Sequence, residues 1–359
     1  MSGNDPVRIG LVGLGRFGVG FHLRRLLQRD DVVVAGLCDR RPAAVADACA
    51  RLRDRRPAAA PFYTEAAQLL EAESLDGLIV STPNTDHADP CRAAIERGVP
   101  VMVDKPTTRM ATEAEELVAL SRALDVPFLT AFTRRFFPAS LFLRERVRDG
   151  TVGELPVVDA LQLGCPPNNR PQDGGFFHQR NVHIFDLVPW IIGSPVTRVS
   201  ADVRYNGQWE HVADMRLDLA SGTQLGFLSL ADTAQNQDEI SFYGSRQIYR
   251  LQRETLFSPD RRGLWHEVTD LTGDATTHLV DVAAGRVPAA RRSSTATGPT
   301  GCRPCGSSKR SRRQDAVASR SASRMQQRCR KDRGWLVSAY HPDRLPSEGR
   351  RSPAEGYAI

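Results

Sequence analysis

Val7–Val12 is a short apolar run of the kind a strand buried on both faces requires, and the glycine-rich stretch Gly13–Gly18 follows at once. Phe21, Leu23, Leu26 and Leu27 then recur at helical spacing, and Val32–Leu37 is a second apolar run closed by Cys38 and Asp39. The alternation continues. Gly77-Leu78-Ile79-Val80 predicts a strand inside Leu75–Ser81, and a helix from about Asp89 to Arg97 is stopped by Gly98. Val99–Val103 is the next strand. Thr112 and Glu115 have the spacing of a capping box for a helix to about Leu124, and Val126–Phe132 is one more strand. Strands alternating with helices in this way predict an α/β domain built on a doubly wound parallel sheet.

Beyond residue 131 the period changes. Val157–Leu163 and Val196–Tyr205 have strand character, Met215–Leu219 and Gln224–Leu230 flank the turn Ser221-Gly222, and Ile240–Tyr243 and Gln247–Leu251 flank Gly244-Ser245. Such hairpin signals predict an α+β domain with a mostly antiparallel sheet. From about Arg291 periodicity stops and Ser, Arg, Pro and Gly dominate, a composition with too little apolar surface to offset the entropy of ordering. The expected organisation is an α/β domain carrying the glycine turn over 1–130, an α+β domain over 131–290, and a disordered basic tail over 291–359.

Composition changes this picture in one respect. Of the 359 residues, 41% are apolar and 25% charged, ordinary for a soluble globular protein. The net charge of +6 is carried by the tail, which holds 16 Lys and Arg against 5 Asp and Glu; residues 1–290 hold 32 against 37. The charge is therefore no argument for nucleic-acid binding by the folded body. No apolar run is long enough to span a bilayer and the N-terminus lacks a leader pattern, so a cytoplasmic, non-membrane protein is expected. Cys38, Cys49, Cys91 and Cys165 are scattered singly and read as reduced thiols. Cys302 and Cys305 form a CxxC pair with Cys329 and His341 downstream, but the irregular spacing argues against zinc, and no metal is expected.

The glycine run carries the first candidate chemistry. Gly13 suits the tight turn, Gly15 lets the backbone approach a pyrophosphate, and Gly18 lets the helix pack on the strand, so Gly13, Leu14, Gly15, Arg16, Phe17 and Gly18 form the candidate phosphate cradle. Asp39, at the end of the second strand, is placed to accept from ribose hydroxyls. Arg40 and Arg41 would attract a 2′-phosphate that Asp39 repels. NAD is favoured, NADP is the alternative, and Arg41 is read as a solvated surface charge.

The glycine turn, Thr82-Pro83-Asn84 with His87, and Asp104-Lys105-Pro106 together resemble the Gfo/Idh/MocA family, named for glucose–fructose oxidoreductase, inositol dehydrogenase and a rhizopine catabolism protein. Asp104 stands where that family usually has Glu. Arg134-Arg135-Phe136 with Pro138, then Gly150 and Gly153-Glu154, resemble its crossover into the second domain. The resemblance spans roughly residues 5–290. It implies a large open sheet in the second domain, a homo-oligomer, and an NAD(P)-dependent oxidoreductase acting on a secondary alcohol or ketone of a sugar, sugar nucleotide or cyclitol. It also implies that Thr82, Pro83, Asn84, His87, Asp104 and Lys105 lie at the cofactor.

Lys105 follows a strand of the parallel sheet, where strand ends converge on the crevice, and desolvation beside a cationic nicotinamide is expected to lower its pKa. Within Gly174–Asp186, His183 and Asp186 match the family's catalytic His and later Asp. Gln179 stands where the family has Asp, and Asn181 where it has Gly. Glutamine can hydrogen-bond a hydroxyl but cannot take its proton, so proton transfer is expected to rest on Lys105 and His183. Arg135, Gln179, Arg180, Asn181, His183 and Asp186 are the expected substrate contacts. His178 and His183 do not share a helical face well enough for a metal. Two rival readings remain at this point: a non-catalytic dinucleotide-binding sensor, and an inactive product of a damaged gene. With GC-rich codons chosen for Ser293–Ala296, a shifted frame reads Val-Asp-Gly-Asp and then an amphipathic run, so the tail is expected to be a frameshifted form of the family's final helix.

Overall fold

The structure is a computed structural model that describes residues 6–44, 46–48, 60–164, 175–207, 209–231, 233–269 and 271. The tail from Arg291, with its expected disorder, shifted frame and CxxC pair, lies outside the described residues, as do Cys49, Cys165 and Gly174.

β1 (Val7–Val12) leads through the glycine turn into α1, a π-helical turn Gly18–Leu23 continued by Arg24–Leu26. β2 (Val32–Cys38), β3 (Phe62–Tyr63), α2 (Ala66–Ala72), β4 (Gly77–Val80), α3 (Ala88–Glu96), β5 (Val101–Val103), α4 (Ala111–Ala123) and β6 (Phe128–Thr130) follow. The six strands form one parallel sheet in the order β3-β2-β1-β4-β5-β6. The strand order reverses between β1 and β4, which opens a crevice at their carboxyl ends. Ile9, Leu11, Ile79 and Val101 are completely buried, with apolar clusters on both faces of the sheet, as a parallel sheet requires. Burying each such side chain contributes about 1.5–3 kcal/mol.

The start of α4 differs from expectation. The helix begins at Ala111, and Glu113 reaches back to accept from the Met110 N–H at 3.4 Å, so the pair expected at Thr112 and Glu115 lies two residues too late. Glu113 stands three residues after Met110, the last residue before the helix, and so reaches the orphan Met110 N–H, whereas Glu115 lies two residues further along.

A 3₁₀ turn, Thr133–Phe136, and α5 (Pro138–Arg148) cross to a second sheet. β7 (Val157–Leu163) precedes another π-helical turn, Phe177–Asn181, which runs into α6 (Val182–Ile192). β8 (Val196–Asn206), β9 (Trp209–Leu219), β10 (Gln224–Leu230), β11 (Gln237–Tyr243), β12 (Ile248–Gln252), β13 (Thr255–Pro259) and β14 (Trp265–Glu267) complete it. The eight strands are ordered β14-β13-β12-β11-β7-β10-β9-β8, antiparallel except for the β7–β10 pair. One face packs on α5 and α6, whose Leu143, Ile184, Leu187, Val188 and Ile191 are buried against Val158, Phe227 and Phe242. The strand expected at Met215 begins earlier, at Trp209, and β3, β13 and β14 were not foreseen.

Candidate functional site

The glycine turn is held by its neighbours on the sheet. The Gly13 N–H donates to the Cys38 carbonyl at 2.8 Å and the Ser81 N–H to the Val12 carbonyl at 2.7 Å. Gly13 has φ +95°, and a Cβ there would collide with the Ser81 carbonyl; a Cβ on Gly18 would collide with the Gly13 carbonyl. Gly15 is different: a Cβ there would meet no atom within 4 Å. Its freedom serves open space at the mouth of a cleft of about 780 Å³ that runs between the glycine turn, Asp39, and the Ser81–Asp86 turn. That vacancy beside a helix start fits a dinucleotide pyrophosphate. Thr64–Ala67, at the start of α2, form a further wall of the cleft.

Asp39 sits inside this cleft, but its carboxylate is already engaged. Oδ2 accepts from the Leu14 N–H at 2.9 Å and from Arg41 Nη2 at 3.2 Å; Oδ1 accepts from the Arg41 N–H and Nε, both at 3.0 Å. Burial alone would raise the Asp39 pKa, but the hydrogen bonds from Arg41 and Leu14 outweigh it and hold the carboxyl below its ordinary value. Two expectations are corrected here. Arg41 is the ion-pair partner of Asp39 and not a freely solvated charge, and the Leu14 N–H is spent on Asp39 and not offered to phosphate. Arg40 pairs with Asp86 across the cleft at 2.5 Å. Arg16 lines the cleft, whereas Phe17 stacks on Phe21 with ring centroids 4.7 Å apart.

Behind the turn, Asp104 bonds His22 Nε2 at 2.8 Å and accepts from the Ser81 hydroxyl, which ties α1 to the ends of β4 and β5. His22 is 4% exposed, so Asp104 acts as an anchor beneath the crevice. His87 is also corrected. Its Nε2 lies 2.9 Å from the Thr82 carbonyl and its Nδ1 3.0 Å from that of Pro106, and the ring is buried. With both ring nitrogens facing main-chain oxygens, His87 braces the turns around the crevice, and its nitrogens are not offered to a cofactor. Thr82 and Pro83 line the cleft; Asn84 is buried behind it.

Lys105 carries the contact between the two sheets. Its Nζ donates to the main-chain carbonyl of Gln179 at 2.6 Å, across the Lys105–Pro106 bond that is cis. The π-helical turn Phe177–Asn181 brings that carbonyl forward, and π turns recur at functional sites because they free backbone groups. His183 follows on the same face. Its Nδ1 is buried without a hydrogen-bond partner among the described residues. Burial, then the charges of Arg134, Lys105 and Arg180, hold its imidazole well below the ordinary value of 6.5. A neutral imidazole is a proton acceptor.

Three expected substrate contacts are placed otherwise. Asn181 is fully buried; its Nδ2 donates to Gln162 Oε1 at 2.8 Å and Ser229 Oγ at 3.0 Å, so it pins the start of α6 to the sheet. Arg135 and Asp186 form a two-pronged ion pair, Nε to Oδ2 at 2.8 Å with Nη2 to Oδ1 beside it. Burial raises the Asp186 pKa more than Arg135 lowers it. Each satisfies the other, so the pair clamps the 3₁₀ turn to α6. Arg180 lies in a second cavity of about 380 Å³ with His183, Arg134, Asp238, Arg253 and Glu254. Sequence reading singled out Arg134 only within the crossover motif and missed Asp238 and Arg253, which come from separate elements and share no motif. Among the described residues no group of three or more His, Cys, Asp or Glu side chains is placed to hold a metal ion. Cys38 and Cys91 are buried free thiols, and burial, then Glu65 and Asp39, push the Cys38 thiol up to about 12.

Comparison with known proteins gives the family of the chain. Residues 7–132 match the oxidoreductase family with an NAD-binding Rossmann fold, Gfo/Idh/MocA, and residues 141–250 match the C-terminal domain of the same family. The chain belongs to this family. It is similar to the rhizopine catabolism protein MocA of Rhizobium meliloti, 32% identical over 53% of this chain and 58% of that protein. It is also similar to an inositol 2-dehydrogenase of Corynebacterium glutamicum strain R, 30% identical over 56% of this chain and 58% of the other. The matched stretch thus spans a little over half the length of these relatives. Among solved structures, UDP-N-acetylglucosamine 3-dehydrogenase GnnA from Acidithiobacillus ferrooxidans shares the fold, with a TM-score of 0.66 and 21% identity over 80% of this chain and 90% of that one.

Proposed function

We propose that this protein is an NAD-dependent oxidoreductase that interconverts a secondary alcohol and a ketone on a sugar, sugar nucleotide or cyclitol. The observation that carries the reading is the Lys105 contact: the ammonium from the end of β5 reaches the Gln179 carbonyl, within the electrostatic reach of His183. NAD, held along the glycine turn and Asp39, would supply a hydride acceptor in the oxidising direction. The alcohol's other hydrogen leaves as a proton. His183 offers a neutral ring nitrogen to that proton, while the burial and neighbouring cations that keep the ring neutral also make it a weak base; Lys105, a donor to oxygen, steadies the carbonyl that forms. The dehydrogenase relatives support a polyol substrate. The second sheet exposes Val199, Tyr205 and Leu228, which supports self-association through it.

Lys105→Ala tests the assignment. Turnover with a polyol and NAD should fall by roughly 10²–10⁴-fold while NAD still binds. Turnover near that of the unaltered protein would remove Lys105 from the mechanism.

A further inference from the structure

We propose that Asp86 selects the cofactor: by holding Arg40 it denies the adenosine end of the cleft a cation for a 2′-phosphate, and so favours NAD over NADP. The inference rests on the oxidoreductase reading and names a residue, outside the glycine turn and β2, that makes the choice.

In a doubly wound sheet the acid at the end of the second strand receives the adenosine ribose, so the phosphate that distinguishes NADP arrives among the residues that follow that strand. Here those residues are Arg40 and Arg41, both on the cleft wall. Two arginines in this place would invite a 2′-phosphate, because a guanidinium meets a phosphate with two parallel donors. Each is already held by a carboxylate of the protein. Arg41 takes Asp39 through its main-chain N–H and Nε, both at 3.0 Å, and through Nη2 at 3.2 Å. Arg40 crosses the cleft to Asp86, Nη2 to Oδ2 at 2.5 Å, and makes no other side-chain hydrogen bond among the described residues.

Asp86 is itself set by a short turn. It closes the 3₁₀ turn Asn84–Asp86 beyond the end of β4. Its N–H donates to the Pro83 carbonyl at 2.8 Å, its carbonyl accepts from the Thr82 hydroxyl at 3.1 Å, and Oδ1 accepts from the Thr85 hydroxyl at 3.2 Å. These bonds fix the carboxylate, and the longer arginine side chain comes to it. The other charges of the cleft act in the same direction. Arg16 stands in the glycine turn, on the pyrophosphate side, whereas Glu65 and Asp89 line the cleft without an ion pair among the described residues. Glu65 lies close enough to the end of β2 to act on the Cys38 thiol together with Asp39. A 2′-phosphate would bring about two negative charges among these carboxylates, while the ribose hydroxyls of NAD are donors that carboxylates accept.

The test is isothermal titration of the full chain with NAD and with NADP. The unaltered protein should bind NAD about tenfold or more tightly than NADP. Asp86→Asn keeps the shape of the turn and removes the charge. It should raise the ratio of NADP to NAD affinity by about fivefold, chiefly through tighter NADP; Arg40 is 73% and Asp86 33% exposed, so water screens the pair and limits the gain. Asp86→Ala should move the ratio the same way, and Arg40→Ala in the Asp86→Asn background should erase the gain. Melting temperature reports that the variants are folded. A protein that binds the two cofactors alike or prefers NADP, a ratio unmoved in Asp86→Asn, a ratio raised by weaker NAD alone, or a gain that survives the loss of Arg40 would overturn the proposal. Turnover read in parallel separates the two ideas. Polyol oxidation with NAD and a ratio unmoved in Asp86→Asn sinks the role of Asp86 and keeps the oxidoreductase; the expected shift without turnover of any polyol does the reverse, and binding of neither cofactor sinks both.

Discussion

Asp39 shows how far a single residue can be read from its neighbours in sequence. Its place at the end of β2 and its task toward a ribose follow from the glycine turn before it, but its partner does not. The four hydrogen bonds it accepts fill about the four lone-pair sites a carboxylate offers, and three of them come from Arg41. A ribose hydroxyl must displace the Arg41 side chain before Asp39 can receive it. Arg41→Ala should therefore tighten NAD by about fivefold, the worth of one recovered hydrogen bond of about 1 kcal/mol, and weaken NADP, which loses a cation for its 2′-phosphate. Fluorescence titration with both cofactors reads this; weaker NAD binding would mean that Arg41 itself holds the cofactor. Gln179 teaches the converse lesson. As a departure from the family pattern it casts doubt on the substrate half of the site, because glutamine cannot accept a proton. The contact it makes with Lys105 is through its main-chain carbonyl, which any residue supplies. The Lys105 geometry therefore survives the substitution, and the side chain at 179 is free to differ.

At the scale of elements, what the sequence revealed was whatever repeats along the chain. β1, β2, β4, β5 and the glycine turn announce themselves by long apolar runs and by residues with few other uses. β3 is two residues long and α2 seven, too short for either period to register, yet α2 begins at the cleft wall. β13 and β14 follow a turn occupied by Arg253 and Glu254, which carry no turn signature. The glycine turn itself allows a separation of folding from binding. Gly13 and Gly18 are glycines because the protein's own backbone crowds them, whereas Gly15 faces empty space. Gly13→Ala should cost about 1–3 kcal/mol from its φ alone, and more from the collision, and lower the melting temperature. Gly15→Ala should melt like the unaltered protein and still lose NAD affinity by tenfold or more, about 1.4 kcal/mol, because its methyl occupies the space left for the pyrophosphate. Unchanged NAD affinity in Gly15→Ala would place the cofactor elsewhere in the cleft.

Across the whole molecule, the site exists only if the end of β5 and the start of α6 stay in register, since Lys105 belongs to one sheet and Gln179 and His183 to elements packed on the other. The short turn Thr133–Phe136 carries this task. Its adjacent arginines reach in different directions, Arg135 to Asp186 on α6 and Arg134 to Asp238 on β11. Asp238 is only 3% exposed in this pair and Arg134 17%. From Asp238 the contacts continue through Gln162 to Asn181 and Ser229, all buried, so the turn is joined to the centre of the second sheet by a continuous polar chain. Such a chain specifies one arrangement when every member is satisfied and is costly when one is lost. Arg134→Ala should therefore destabilise by about 3–5 kcal/mol, because it strands the Asp238 carboxylate in the interior, a large share of a typical domain's stability. Removing the acid as well should recover part of that loss. The Arg134→Ala, Asp238→Ala double variant is expected to unfold at a higher denaturant concentration than Arg134→Ala alone, because the desolvated unpaired charge, and not the missing attraction, is the expensive species. Chemical denaturation of the two variants decides this. A double variant no more stable than the single one would mean that the pair acts by attraction and that the turn's hold on the second sheet lies in the Arg135–Asp186 clamp.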